Sequence, residues 1–197
     1  MLMEYLPDAD IDMEQAMEML SESRHQIERM DTFVETMRKM SSLENRKLAA
    51  GEIFARQLEA DIQAELTILE KECEIQCVLQ VPASNEIFCG DKEIVLEVTE
   101  NLLSNAFRYG KQQVEITIKV GFSELSIYVR DDGDGFKEDA EKITEAFHGQ
   151  NVKDSLKHAG IGMYISGLYC EKHGGKLVLE NDEQGGAVVT AIFRRIA

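Results

Sequence analysis

Apolar positions repeat at different intervals along this chain, and each change of interval marks a predicted element. Between about residues 9 and 46 the interval is seven: Met13, Leu20, Ile27 and Val34 form one row, and Ala16, Ser23, Met30 and Met37 a second. Two rows at that spacing predict one long helix with a seam for a partner helix. Pro7 precedes the pattern and Pro82 lies far beyond it, so no proline interrupts it. The methionines soften the seam, which favours a bundle partner over a rigid autonomous coiled coil. Past Gly51, residues 53–72 predict a second helix.

The interval then drops to two. CEIQCVLQVP places Ile75, Cys77, Leu79 and Val81 on one face, as in a half-buried strand, and EIFCGD is a short strand ending in a turn. VEITIKV and LSIYVRD alternate strictly, and the short GFSE link between them predicts an antiparallel pair. Residues 136–158 are polar and aperiodic, a length at which a connection in a compact domain tends to be functional. A helix is predicted from about 161 to 172, with Ile161, Tyr164, Ile165 and Leu168 on one side and Gly174 and Gly175 at its end. KLVLEN and AVVTAIF, joined by DEQGG, are the last two strands. The fold class is α+β: a two-layer sandwich of a mostly antiparallel mixed sheet covered by helices on one face, preceded by a long helical stem.

One segment breaks the hydrophobic logic. VLEVTENLLSNAFRYG, residues 95–110, is an apolar helix carrying two asparagines. At ~100° per residue, Glu97, Asn101, Asn105 and Arg108 fall within ~80° of one another. A solvated face would also be polar, but it usually carries better helix formers than Asn, whose amide competes for backbone hydrogen bonds. An unpaired amide on a half-buried stripe costs about 1–3 kcal/mol, which a ligand or metal would offset.

Charge and cysteines narrow the classes. A net charge of −16 argues against nucleic acid and against an anionic membrane surface. A nucleotide remains compatible if the site supplies a cation and N–H groups. The acidic start MLMEYLPDAD lacks the basic segment of a signal peptide, and no apolar run approaches a membrane span. Cys73, Cys77, Cys89 and Cys170 lack metal-site spacing and read as free thiols.

Two glycine motifs complete the chemistry. DDGDGF, residues 131–136, ends a strand; it is no calcium loop, because position twelve counted from Asp131 is Lys142 rather than Glu. Its glycines let backbone approach a flat ligand, and its carboxylate could accept from an exocyclic amine. HAGIGMY, residues 158–164, puts Gly160 and Gly162 at a helix start, where N–H groups can cradle phosphates.

In this order the motifs resemble the ATP-binding fold shared by histidine kinases, gyrase, heat-shock chaperones and mismatch-repair ATPases. NLLSNAFRYG is similar to the N box of bacterial sensor histidine kinases, DDGDGF to the G1 box, ITEAFHG to the F-box region and HAGIGMYIS to the G2 box. The resemblance covers about residues 48–195. It implies a stem at 1–46 like the second helix of the dimerisation and phosphotransfer hairpin, and a catalytic domain at 47–197 with an ATP lid at about 136–160.

The resemblance also implies roles. Asn105 would ligate Mg²⁺ on the ATP phosphates, assisted by Asn101, and Arg108 would reach a phosphate. Tyr109 would pack near the base, Asp131 would accept the adenine amine, and Gly133 and Gly135 would lie beside the ring. Gly160, Ile161, Gly162 and Met163 would face the phosphates, with Lys153 or Lys157 contributing from the lid. ATP-hydrolysing relatives carry Glu where this chain has Asn101, so the site resembles one that holds ATP for transfer. His158 stands where the family usually has Gly, and Gly149 where it often has Arg or Lys. His148 and His173 are expected to be loop and cap residues.

His25 sits in SRHQIERMD, without the acidic neighbour and proline that follow the family's phosphoacceptor. The expected reaction is therefore transfer of the γ-phosphoryl group to a histidine on a helix outside this chain, then to a response regulator. Homodimerisation through the stem and a cytoplasmic place within a membrane-anchored parent go with that reading. The alternatives are a serine kinase of the anti-sigma type, and a nucleotide-sensing or scaffolding module that binds ATP without transfer.

Overall fold

The computed structural model describes residues 17, 19–24, 27, 34, 38, 47–72, 75–82, 86–136 and 160–196. The chain divides into two units, Met1–Ser42 and Leu43–Ala197. In the first, every described residue is helical, and Leu20, Ile27 and Val34 of the predicted seam are exposed. Most of the predicted stem, including His25, lies outside the described residues.

The second unit runs β1 (Gly51–Phe54), α1 (Ala55–Glu72), β2 (Gln76–Gln80), β3 (Ile87–Gly90), α2 (Lys92–Tyr109), β4 (Gln113–Val120), β5 (Glu124–Asp131), α3 (Gly160–Lys172), β6 (Lys176–Asn181) and β7 (Ala187–Arg194). Five strands form a sheet in the order β2-β4-β5-β7-β6. Its β2–β4 pair is parallel and the other three pairs are antiparallel, which makes it the expected mixed sheet. Alternation drives it: Val114, Ile116, Ile118 and Val120 of β4 and Leu125, Ile127 and Val129 of β5 are all buried toward the helices.

Two predicted elements differ. The helix expected from residue 53 begins at Ala55, because Gly51–Phe54 is a strand. It pairs antiparallel with β3 as a separate two-stranded ribbon, Ile53 opposite Phe88, both fully buried. Four residues with only Ile53 and Phe54 strongly apolar do not reveal a period, and the partner strand lies more than thirty residues away. The helix α3 is also buried more widely than one side: Met163, Tyr164, Ile165, Ser166, Tyr169 and Cys170 are all buried. It packs between α2 and strands β6 and β7, so a single apolar stripe would not suffice.

The termini of α2 and α3 are tied together. Asp91 caps α2, its Oδ1 accepting from the Ile94 N–H at 3.3 Å and its Oδ2 from the Ala49 N–H at 2.9 Å. At the end of α3, Gly174 N–H donates to the Glu171 carbonyl and Gly175 N–H to the Cys170 carbonyl, the two bonds of a Schellman cap. His173, in that cap, is buried between Phe88 and Phe193. Its Nε2 accepts from the Asp91 N–H at 3.2 Å, and its Nδ1 lies 3.3 Å from the Arg194 carbonyl. Those partners require the neutral ring with the proton on Nδ1. Burial, the largest influence, lowers its pKa below the usual histidine value.

Candidate functional site

The asparagine stripe of α2 is a boundary between core and surface. Val95, Val98, Leu102, Leu103, Ala106 and Phe107 are buried; Glu97, Asn101 and Asn105 are half-buried, and Arg108 and Tyr109 are exposed. Tyr109 is 64% exposed, so on its own it stands in water beside the site. Asn101 is partly engaged: its Nδ2 donates to the buried Ser166 hydroxyl of α3 at 3.4 Å. That orientation turns Oδ1 toward Gly162, where an added Cβ would meet it at 3.4 Å. Among the described residues, the Asn105 side chain has no hydrogen-bond partner. A half-buried amide in that state is open to water or to a ligand.

The second wall is the DDGDGF loop at the end of β5. Asp131 is buried, and among the described residues only its Oδ1 is bound, by the Gly133 N–H at 2.8 Å and the Ala187 N–H at 3.3 Å. Burial pushes its carboxyl above the usual range, and the two N–H groups pull it back only in part. Asp132 faces the other way. Its carboxylate accepts from the Lys111 N–H at 2.7 Å and the Gln112 N–H at 3.1 Å, fastening the loop to the chain leaving α2. Desolvation raises its carboxyl, but the backbone N–H groups outweigh that and hold it below the usual range. Asp134 closes the same seam by pairing with Lys111.

The glycines have structural duties in addition to the expected ligand approach. A Cβ on Gly133 would fall 2.3 Å from the Tyr109 carbonyl, so this glycine lets the loop lie against the end of α2. Gly135 adopts φ +72°, which a side chain disfavours, and its missing Cβ makes room for Asn181. Asn181 of β6 grips the backbone of Phe136 twice, accepting from its N–H at 2.7 Å and donating to its carbonyl at 3.1 Å. Neither Ser166 nor Asn181 is distinguishable by sequence pattern.

The third wall is the start of α3 at Gly160, whose first turn lies beside Asn101. The Met163 side chain is buried, so at that position only backbone can face a ligand. Lys153, Lys157, His148, Gly149 and His158 lie outside the described residues. The described site residues thus converge from three segments distant in sequence. The donor set fits Mg²⁺: two amide oxygens, neither with a hydrogen-bond partner among the described residues, are hard ligands of the kind that ion accepts while keeping several waters.

Comparison with known proteins finds relatives in sequence and in fold. Sensor histidine kinase YvrG of Bacillus subtilis (strain 168) is 28% identical over 114 residues, covering 55% of this chain and 19% of that protein. Sensor protein PhoQ of Escherichia coli (strain K12) is 32% identical over 108 residues, covering 55% of this chain and 22% of that protein. The chain matches only about a fifth of the length of these relatives. In fold, it is similar to Acinetobacter baumannii histidine kinase AdeS, with a TM-score of 0.66, 15% identity and coverage of 100% and 90% of the two chains. It is also similar to full-length ShkA in complex with AMPPNP, with a TM-score of 0.68, 18% identity and coverage of 98% and 42%. Residues 90–196, just over half of the chain, match the family described as histidine kinase-, DNA gyrase B- and HSP90-like ATPase, with α2, the DDGDGF loop and α3 inside the match. The chain belongs to that family.

Proposed function

We propose that residues 47–197 are the catalytic domain of a sensor histidine kinase and that residues 1–46 are the second helix of its dimerisation hairpin. The reaction transfers the γ-phosphoryl group of ATP to a histidine on a helix outside this chain, and from there to a response regulator. The observation that supports this most is that the Asp131 loop and the start of α3 both lie against α2, at Tyr109 and at Asn101.

In this reading Asp131 uses its free Oδ2 to accept the adenine amine, and Tyr109 covers the base. Arg108 and the N–H groups at Gly160, Ile161, Gly162 and Met163 hold phosphate oxygens, with Lys153 or Lys157 reaching in from the lid. Asn105 and the Oδ1 of Asn101 hold Mg²⁺, which when bound neutralises phosphate charge. The imidazole nitrogen attacks the γ-phosphorus with its own lone pair, and the proton on the other ring nitrogen is released to solvent afterwards. The phosphorus–nitrogen bond forms as the bond to the β-phosphate oxygen breaks, and ADP leaves with that electron pair. Water attack would instead require a base to take a proton. An amide at Asn101 cannot take one, so transfer is favoured over hydrolysis.

The exposed Leu20, Ile27 and Val34 provide the seam by which the stem pairs with a helical partner and a second copy. Among the described residues no helix is long and apolar enough to cross a membrane. The test is incubation of the chain with γ-labelled ATP, with and without a hairpin bearing an acceptor histidine. Labelling of the hairpin by an acid-labile, base-stable phosphate is expected. Strong self-labelling lost in His25→Ala, or an acid-stable phosphate, would overturn the reading.

A further inference from the structure

The hairpin turn between β6 and β7 carries no motif, yet it holds both ends of the DDGDGF loop. At the loop's start, the Ala187 N–H reaches Asp131 Oδ1, and Arg130, just before it, pairs with Asp182 through Nε at 3.1 Å and Nη2 at 3.3 Å. At the loop's end, Asn181 takes both the N–H and the carbonyl of Phe136. Asn181 and Ala187 are themselves cross-strand partners. The chain of contacts is therefore closed, from Asp131 through Ala187 and Asn181 to Phe136.

We propose that Asn181 is a positioning residue for the adenine side of the nucleotide site, acting through Phe136 and the loop rather than by touching the ligand. An amide is the side chain suited to this. It offers one acceptor and one donor in a plane, so it imitates a neighbouring strand for a single residue. An aspartate would keep the acceptor and lose the donor. The geometry also explains Gly135: besides its positive φ, an added Cβ there would lie 2.7 Å from Asn181 Oδ1. Asn181 is exposed at the end of a strand, so its removal leaves the core intact. What it governs is the path of backbone on which Asp131 and Gly133 depend.

This inference rests on the proposed nucleotide site, and one experiment separates the two. Adenosine and ADP are titrated calorimetrically into wild type, Asn181→Ala and Asn181→Asp, the ADP with and without Mg²⁺. Two exposed hydrogen bonds at the low end of their usual net contribution predict roughly 5- to 10-fold weaker binding of both ligands to Asn181→Ala. The increment that Mg²⁺ adds to ADP binding should be unchanged, because the metal ligands lie on α2. Asn181→Asp should fall between, and amide exchange should quicken at Gly133–Phe136 alone. A purely structural role would lower thermal stability without this base-side selectivity. Wild type that binds no adenine nucleotide would overturn the site itself. Wild type that binds, with an Asn181→Ala that binds equally or loses only the Mg²⁺ increment, would overturn the role of Asn181 and leave the site standing.

Discussion

Asp131→Asn should do more than weaken ATP. In the wild type, Oδ1 is pinned by two backbone donors, Gly133 N–H at 2.8 Å and Ala187 N–H at 3.3 Å. An asparagine must keep its oxygen there, since its NH₂ would otherwise face two N–H groups. The NH₂ is then forced to the outward position that Oδ2 held, and an acceptor becomes a donor. Against adenine, the loss of a charged acceptor is worth about 1.5–3 kcal/mol, or roughly 10- to 150-fold in affinity, and opposed donors add to it. Against guanine, which presents a carbonyl at that place, the same NH₂ gains one neutral hydrogen bond, about 0.5–1.5 kcal/mol. The preference for ATP over GTP should therefore fall by roughly 30-fold or more. Calorimetric titration of both nucleotides into both proteins measures it, with circular dichroism to verify folding. Unchanged ATP affinity would remove Asp131 from the base site. Equal weakening of ATP and GTP would show that the amide is not pinned as argued.

Asn105→Ala should abolish the Mg²⁺ increment in ATP binding while leaving the melting curve close to wild type, because the amide has no partner among the described residues; a retained increment would show that the metal is held elsewhere. Glu65 on α1 is pushed up to about 7, first by burial and then by Glu100. A shift of that size has a ceiling of ~3 kcal/mol, and its partial solvent access reduces this to about 1–2 kcal/mol. Because the folded-state pKa is raised, the folded protein binds the extra proton between about pH 4.5 and 7, and the charged form destabilises it fully above that window. Glu65→Gln should thus raise the melting temperature by roughly 2–8 °C at pH 8, with the gain fading by pH 4.5; an equal gain at both pH values would contradict the assignment.

Much of this protein is legible in its sequence because the relevant physics is local. Side-chain period mirrors backbone geometry, so the alternation of β4 and β5 declares strands with one buried face. The two asparagines on α2 declare a polar stripe along an otherwise apolar helix. The motif order carries the family, and residues 90–196 bear it out. What the sequence leaves open depends on segments that meet only in three dimensions. GEIF is a strand because β3 offers it a partner, and α3 is buried on several sides because α2 and the sheet flank it. The sequence places a carboxylate at Asp131, but the backbone of Gly133 and Ala187 determines which of its oxygens is bound. Asn181 and Ser166 have no local signature at all. Their amide and hydroxyl acquire a purpose only from the backbone and the side chain that tertiary packing sets against them, Phe136 for one and Asn101 for the other.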